Sequence, residues 1–125
     1  MQGKSRITVV DDDDGMRRAL GQLLAAAGFE VTTFCSAEEF LRDKTPPSRA
    51  ACLILDVHLP GLSGFDLWER VRLSAGAPPV IFITAHDDPA TRARAAGLGA
   101  ADYFPKPFAG RRLLEELNRI TTEKR

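Results

Sequence analysis

Four carboxylates stand in a row at Asp11-Asp12-Asp13-Asp14, and a fifth stands apart at Asp56. The chain later offers a hydroxyl at Thr84 and an ammonium at Lys106. Crowded carboxylates repel one another unless a cation sits between them. A hard dication with few protein ligands and several waters, the usual arrangement for Mg2+, suits such a set. A carboxylate can hold the metal through one oxygen and act as a nucleophile through the other, and carboxylates do accept phosphoryl groups. Phosphoryl transfer then needs positioning and charge neutralisation. Mg2+, the Lys106 ammonium and the Thr84 hydroxyl could each take one phosphoryl oxygen.

These residues can meet only if the fold brings them together. Asp11 and Asp56 directly follow the apolar runs 7–10 and 51–55; Thr84 follows 80–83, and Lys106 comes one proline after 101–104. The runs before Asp56 and Thr84 show no polar alternation, as expected of strands covered on both faces. Between them the spacing turns helical. Met16, Leu20, Leu23, Leu24 and Ala27 make one stripe, with Asp13 or Asp14 as its cap and Gly28 as its stop. Residues 30–34 form a more polar strand. Ser36 and Glu39 read as a capping box for a helix that carries Phe40 and Leu41, and the cluster at 44–48 ends it. Ser63 opens a third helix with Phe65, Trp68 and Val71 on one face. Asp87-Asp88-Pro89 opens an alanine-rich fourth that should be held loosely. Leu113, Leu114, Leu117 and Ile120 mark a fifth.

Strand and helix alternate five times. That predicts an α/β fold, a doubly wound parallel sheet with helices on both faces. Right-handed crossovers and polar edge strands favour the order 2-1-3-4-5, the flavodoxin-like arrangement. In such a sheet all carboxyl ends share one rim, so Asp11, Asp12, Asp56, Thr84 and Lys106 converge there.

Composition limits the rest. The 125 residues suggest a single domain over 1–125 with no output domain. Apolar and charged fractions of 44% and 27% are ordinary for a globular protein. Lysine plus arginine and aspartate plus glutamate number 17 each, so the formal charge is zero, which argues against nucleic-acid binding through this domain. No run approaches the ~18 apolar residues of a membrane span, and the N-terminus has no signal-peptide pattern. Cys35 and Cys52 form no CxxC and read as reduced thiols of a cytoplasmic protein.

The motifs Val9-Val10-Asp11-Asp12, Asp56-Val57-His58-Leu59-Pro60-Gly61-Leu62-Ser63-Gly64, Ile83-Thr84-Ala85-His86 and Lys106-Pro107-Phe108 occur in this order. Together they resemble the bacterial two-component response-regulator receiver domain, over essentially the whole chain. A member of that family is itself a standard example of the 2-1-3-4-5 order, so the topology rests partly on the resemblance.

The resemblance implies that Asp56 accepts a phosphoryl group from the phosphohistidine of a sensor histidine kinase. It implies Mg2+ bound by Asp12, Asp56 and the backbone carbonyl of His58, with Asp11 acting mostly through water. Thr84 and Tyr103 would be the switch pair, and the face formed by the fourth helix, fifth strand and fifth helix would change. A phosphorylation-dependent homodimer and a cis Lys106-Pro107 bond are further implications. The surroundings of His86-Asp87-Asp88 and Tyr103-Phe104 look similar to receivers fused to helix-turn-helix transcription factors, although a stand-alone receiver fits them equally.

His58 and His86 lie two residues beyond Asp56 and Thr84, offsets at which relatives tune phosphoryl lifetime; they could equally be plain loop residues, and a transition-metal site using both imidazoles is a distant third reading. Pro105 departs from the commonest pattern and could stiffen or shift the lysine loop. Asp13 and Asp14 extend the acidic pair and read mainly as helix caps. Two other functions remain open. Asp11 and Asp13 give the DxD spacing of haloacid-dehalogenase-type phosphatases, and a receiver can also act as a scaffold without phosphorylation. The receiver reading makes the chain a signalling domain rather than an enzyme, limited to its own phosphorylation and slow self-dephosphorylation.

Overall fold

The computed structural model describes residues 4–123. Five parallel strands, β1 (Arg6–Val10), β2 (Glu30–Phe34), β3 (Cys52–Asp56), β4 (Val80–Thr84) and β5 (Asp102–Pro105), form one sheet in the order β2-β1-β3-β4-β5. The connecting helices are α1 (Asp14–Ala26), α2 (Ala37–Arg42), α3 (Gly64–Val71), α4 (Pro89–Gly97) and α5 (Gly110–Glu123).

The period-two geometry of the strands divides the core in two. Leu53 and Leu55 of β3 join Phe82 beneath Ala37 of α2, Phe65 and Trp68 of α3 and Ala95 of α4. Cys52 and Ile54 face the other way, with Ile81 and Ile83, against Leu20 and Leu24 of α1 and Leu113 and Leu117 of α5. Every residue of β3 and β4 is therefore buried, which is why neither strand alternates in polarity. The edge strands β2 and β5 are only partly covered.

Helix starts follow their capping chemistry. Asp13 accepts the Met16 N–H at 3.2 Å and Asp88 accepts the Thr91 N–H at 2.7 Å. Ser63 and Asp66 form a complete capping box on α3.

At α2 the expected capping box is only half present. Ser36 Oγ accepts the Glu39 N–H, but Glu39 reaches one residue further back and accepts from Cys35 N at 2.8 Å. Phe40 packs edge-on against Phe34, whereas Leu41 is 39% exposed, because α2 is short and covers little of the edge strand. The cluster after α2 contains a 3-10 turn, Pro47–Arg49, that the sequence pattern did not separate from a loop.

Two further features differ from expectation. β5 begins and ends one residue later than the apolar run, with Pro105 paired opposite Thr84. The missing N–H leaves no gap there, because Lys106 N donates to Thr84 O at 2.7 Å. Helix α4 has a small apolar face but is well anchored: Trp68 Nε1 donates to Leu98 O at 3.0 Å, and the Arg94 guanidinium lies 4.8 Å from the centre of the Phe65 ring.

Candidate functional site

The carboxyl ends of β1 and β3 bring the separated acids together. Oxygens of Asp11, Asp12 and Asp56 all lie within 4.8 Å of one another. Asp11 is fully buried. Its Oδ1 accepts the Asp13 N–H at 2.8 Å and its Oδ2 accepts Lys106 Nζ at 2.9 Å. Asp12 is exposed to solvent at the mouth of the cluster. Asp13 turns away to cap α1, and Asp14 pairs with Arg17.

Asp56 is 5% exposed. Its Oδ1 accepts the His58 N–H at 3.1 Å and its Oδ2 accepts Lys106 Nζ at 3.3 Å. Val57 N donates to Ile83 O, so the chain stays in register one residue past the strand. Gly64 closes the loop from the other side. A Cβ there would lie 2.2 Å from the Asp56 carbonyl oxygen, so only glycine lets α3 begin against the end of β3.

Lys106 reaches the cluster from the turn after β5, and the Lys106–Pro107 bond is cis, as the family resemblance implied. Burial alone would lower the pKa of Lys106, but its bond to Asp11 and the charges of Asp56 and Asp11 outweigh it, and the pKa is raised. Burial raises the Asp11 carboxyl above its ordinary 3.8, against the opposing effects of Lys106 and the Asp13 N–H; the neighbouring Asp56 charge raises it further. The ion pair favours both charges, yet Asp11 is the more deeply buried partner and bears more of the desolvation.

Thr84 is fully buried, one position past the Ile83 that pairs with Asp56. Its Oγ1 accepts the His86 N–H at 3.0 Å, which leaves the hydroxyl proton for another acceptor. Tyr103 is not in the cluster. Its hydroxyl donates to Asp87 Oδ1 at 3.0 Å, and the Arg92 guanidinium sits 4.8 Å from its ring centre. Burial, with the Asp87 bond, pushes its pKa up to about 12. The imidazoles of His58 and His86 meet edge to face, ring centres 5.0 Å apart, and both residues are exposed.

Sequence spacing had not singled out two supports. Arg17 Nη1 donates to the backbone carbonyl of Asp11 at 2.7 Å, fixing the turn that carries the acids. Glu38 Oε2 accepts the Leu62 N–H at 2.9 Å, tying α2 to the loop after Asp56. This bond holds the Glu38 carboxyl below its usual pKa.

The donor set fits a hard dication. It consists of carboxylate oxygens only, with one exposed member through which waters can complete the coordination. One buried cation, Lys106, does not offset three carboxylates. A parallel sheet that gathers such a group at the carboxyl ends of its strands defines a class of signalling and phosphoryl-transfer domains.

Comparison with known proteins narrows the class to one family. The response regulator receiver domain model matches residues 7–118, and the chain belongs to that family. It is 44% identical over 123 residues to nodulation protein W of Bradyrhizobium diazoefficiens, covering 98% of this chain and 53% of that protein. It is 41% identical over 113 residues to the transcriptional regulatory protein FixJ of the same organism, covering 90% of this chain and 55% of that protein. The chain thus spans about half the length of these relatives.

Among solved structures, the response regulator StyR superposes with a TM-score of 0.82 at 41% identity, over 94% of this chain and 59% of that one. The chemotaxis protein CheY4 of Vibrio cholerae gives 0.85 at 28% identity, over 94% and 99%. The chain is a receiver domain, a signalling module of response regulators. The phosphatase reading loses its support, because Asp13 is spent on capping α1. Among the described residues no helix is long and apolar enough to cross a membrane.

Proposed function

We propose that Asp56 is the phosphoryl acceptor of this receiver domain and that a histidine kinase is its donor. The observation that carries this is the setting of Asp56: nearly buried, inside a three-carboxylate cluster, with both oxygens bonded to N–H donors. An Asp56 carboxylate oxygen attacks phosphorus. The nitrogen–phosphorus bond of the phosphohistidine breaks, and the imidazole leaves with its electron pair. Lys106 already lies between Asp11 and Asp56 and neutralises phosphoryl charge as it arrives. Asp12, Asp56 and the carbonyl of His58, with Asp11 through water, would hold Mg2+, which when bound supplies a counter-charge for the phosphoryl oxygens. Buried Thr84 retains a hydroxyl proton to donate to the new phosphoryl group. Leaving the His86 N–H for that role would free the β4–α4 loop, and with it the Asp87 that holds Tyr103 outward.

On this reading Thr84 and Tyr103 are the switch pair, and α4, β5 and α5 form the responding face, including for a phosphorylation-dependent homodimer. The chemistry is confined to self-phosphorylation and slow self-dephosphorylation. The output is control of transcription, in line with the name of FixJ, and the setting is cytoplasmic. Incubation with labelled acetyl phosphate and Mg2+ tests the acceptor. Wild type takes label, Asp56→Asn does not, and Asp11→Asn keeps some; label lost only from Asp11→Asn would reverse the assignment.

His58 and His86 set the phosphoryl lifetime on the same reading. Their contacting rings flank the Asp56 and Thr84 loops, where an attacking water must pass. Replacing either with alanine should change the dephosphorylation rate several-fold; unchanged lifetimes in both variants would remove them from that role.

A further inference from the structure

One row on the α2–α4 face of the sheet is not wholly apolar. Thr32, Thr8 and Leu53 are register partners across β2, β1 and β3. Helix α2 ends at Arg42, and the chain returns to β3 through the 3-10 turn, leaving a cavity of about 140 Å3 over this row. Thr8 and Leu53 form its floor, the edge-packed Phe34 and Phe40 line it, and Arg6 and Arg49 stand at its more exposed rim beside a single acid, Asp43. It lies towards the amino ends of β1 and β3, away from the strand ends that carry Asp11 and Asp56.

Two observations point to a ligand. Thr8 is 5% exposed, and its hydroxyl opens on the cavity with no hydrogen-bond partner among the described residues. The hydroxyl is reached from the cavity, so a polar ligand group there would meet it in place of water. Second, the depression continuous with the cavity mouth carries Arg6, Arg42, Lys44 and Arg49 against Asp43 as its only acid. Arg6 is engaged by Glu30 at 3.0 Å, while Arg49 has no ion-pair partner among the described residues.

Size and lining select the ligand. A cavity of about 150 Å3 holds a benzene ring, whereas drug-sized ligands need roughly 300 Å3 or more. A bare phosphate would lose its hydration against Leu53 and the two phenylalanines. We propose that this cavity binds a one-ring aromatic carboxylate with a hydroxyl at its far end. The ring packs on Phe34, Phe40 and Leu53, the hydroxyl meets Thr8, and the carboxylate meets Arg49 and Arg6.

Amide chemical shifts of the full chain, titrated with 4-hydroxybenzoate and with benzoate, test this. Saturable shifts at Thr8, Thr32, Phe34 and Leu53 are expected, with a dissociation constant for 4-hydroxybenzoate below about 1 mM. Thr8→Val should weaken 4-hydroxybenzoate by about fivefold, to near the affinity of benzoate. Arg49→Ala, at an exposed position that leaves the fold intact, should weaken both probes by about tenfold. No saturation by about 10 mM, shifts centred instead on Asp56 and Lys106, or an Arg49→Ala variant that binds as wild type would each overturn the proposal.

Discussion

Replacing Gly64 with alanine should harm both the fold and the proposed phosphoacceptor, Asp56. The added Cβ would lie 2.2 Å from the Asp56 carbonyl oxygen and 2.9 Å from its carbonyl carbon. Contacts under 3.0 Å are essentially never adopted, so α3 and the end of β3 must separate by about 0.8 Å, the difference between 3.0 and 2.2 Å. Both neighbours are backbone and neither can turn aside. Overpacking of this kind costs about 1–3 kcal/mol, and weakening the 3.0 Å Gly64 N to Val57 O bond adds about 1 kcal/mol. Lower entropy of the unfolded chain returns about 0.4–1 kcal/mol. The net loss is about 2 kcal/mol, or roughly an 8 °C fall in melting temperature for a domain of this size. A displacement approaching 1 Å at the acceptor should also slow phosphorylation by up to about 100-fold. Gly21 is the control: it lies inside α1 with nothing within 4 Å of its Cβ position, so Gly21→Ala should stabilise by up to about 1 kcal/mol. Melting curves and acetyl phosphate labelling of the two variants decide the matter. A Gly64→Ala variant that melts and labels like wild type would refute the argument from contact.

Two further predictions concern the acids. Mg2+ held by the native cluster, at tenfold above its dissociation constant, would add about 1.4 kcal/mol of stability; a melt unchanged by Mg2+ would count against the proposed metal site. Asp11 has a native pKa above the unfolded 3.8, so the folded state binds extra proton between those two values and stability falls as pH rises through that window. Above the native pKa the penalty stays constant. Asp11→Asn removes it: in metal-free buffer at pH 7 the variant should resist urea better than wild type, and its stability should vary less from 3.8 upward through that window. A variant less stable than wild type without metal would show that the bond to Lys106 outweighs burial.

The strand ends were readable because β3 and β4 are buried on both faces, which leaves an unbroken apolar run before Asp56 and Thr84. Parallel topology then determines that those ends share a rim, so Asp11, Asp56 and Lys106 could be brought together from order alone. What stayed hidden depends on distances between distant backbone segments. Gly64 stands in a recognisable motif, but its reason is contact with the Asp56 carbonyl, which no spacing reveals. Arg17 falls off the apolar stripe of α1, and nothing in that spacing reveals that its guanidinium holds the Asp11 carbonyl. Glu39 satisfied the capping-box pattern yet accepts from Cys35, because the extended backbone at Ser36 brings that N–H within reach as well. The small apolar face of α4 suggested looseness, but Trp68 and Arg94 anchor it by polar and cation–π contacts that periodicity does not count. The cavity beside α2 depends on where that helix stops, which the turn-forming residues after it left open.

The central claim is that the phosphoryl group sits on Asp56. Labelling the wild-type protein with acetyl phosphate and Mg2+, trapping the acyl phosphate by borohydride reduction and mapping the modified peptide tests it directly. The account predicts a single modified residue, Asp56, and a modification that disappears when Mg2+ is chelated beforehand. Modification at Asp11, Asp12 or a histidine, with Asp56 intact, would contradict it.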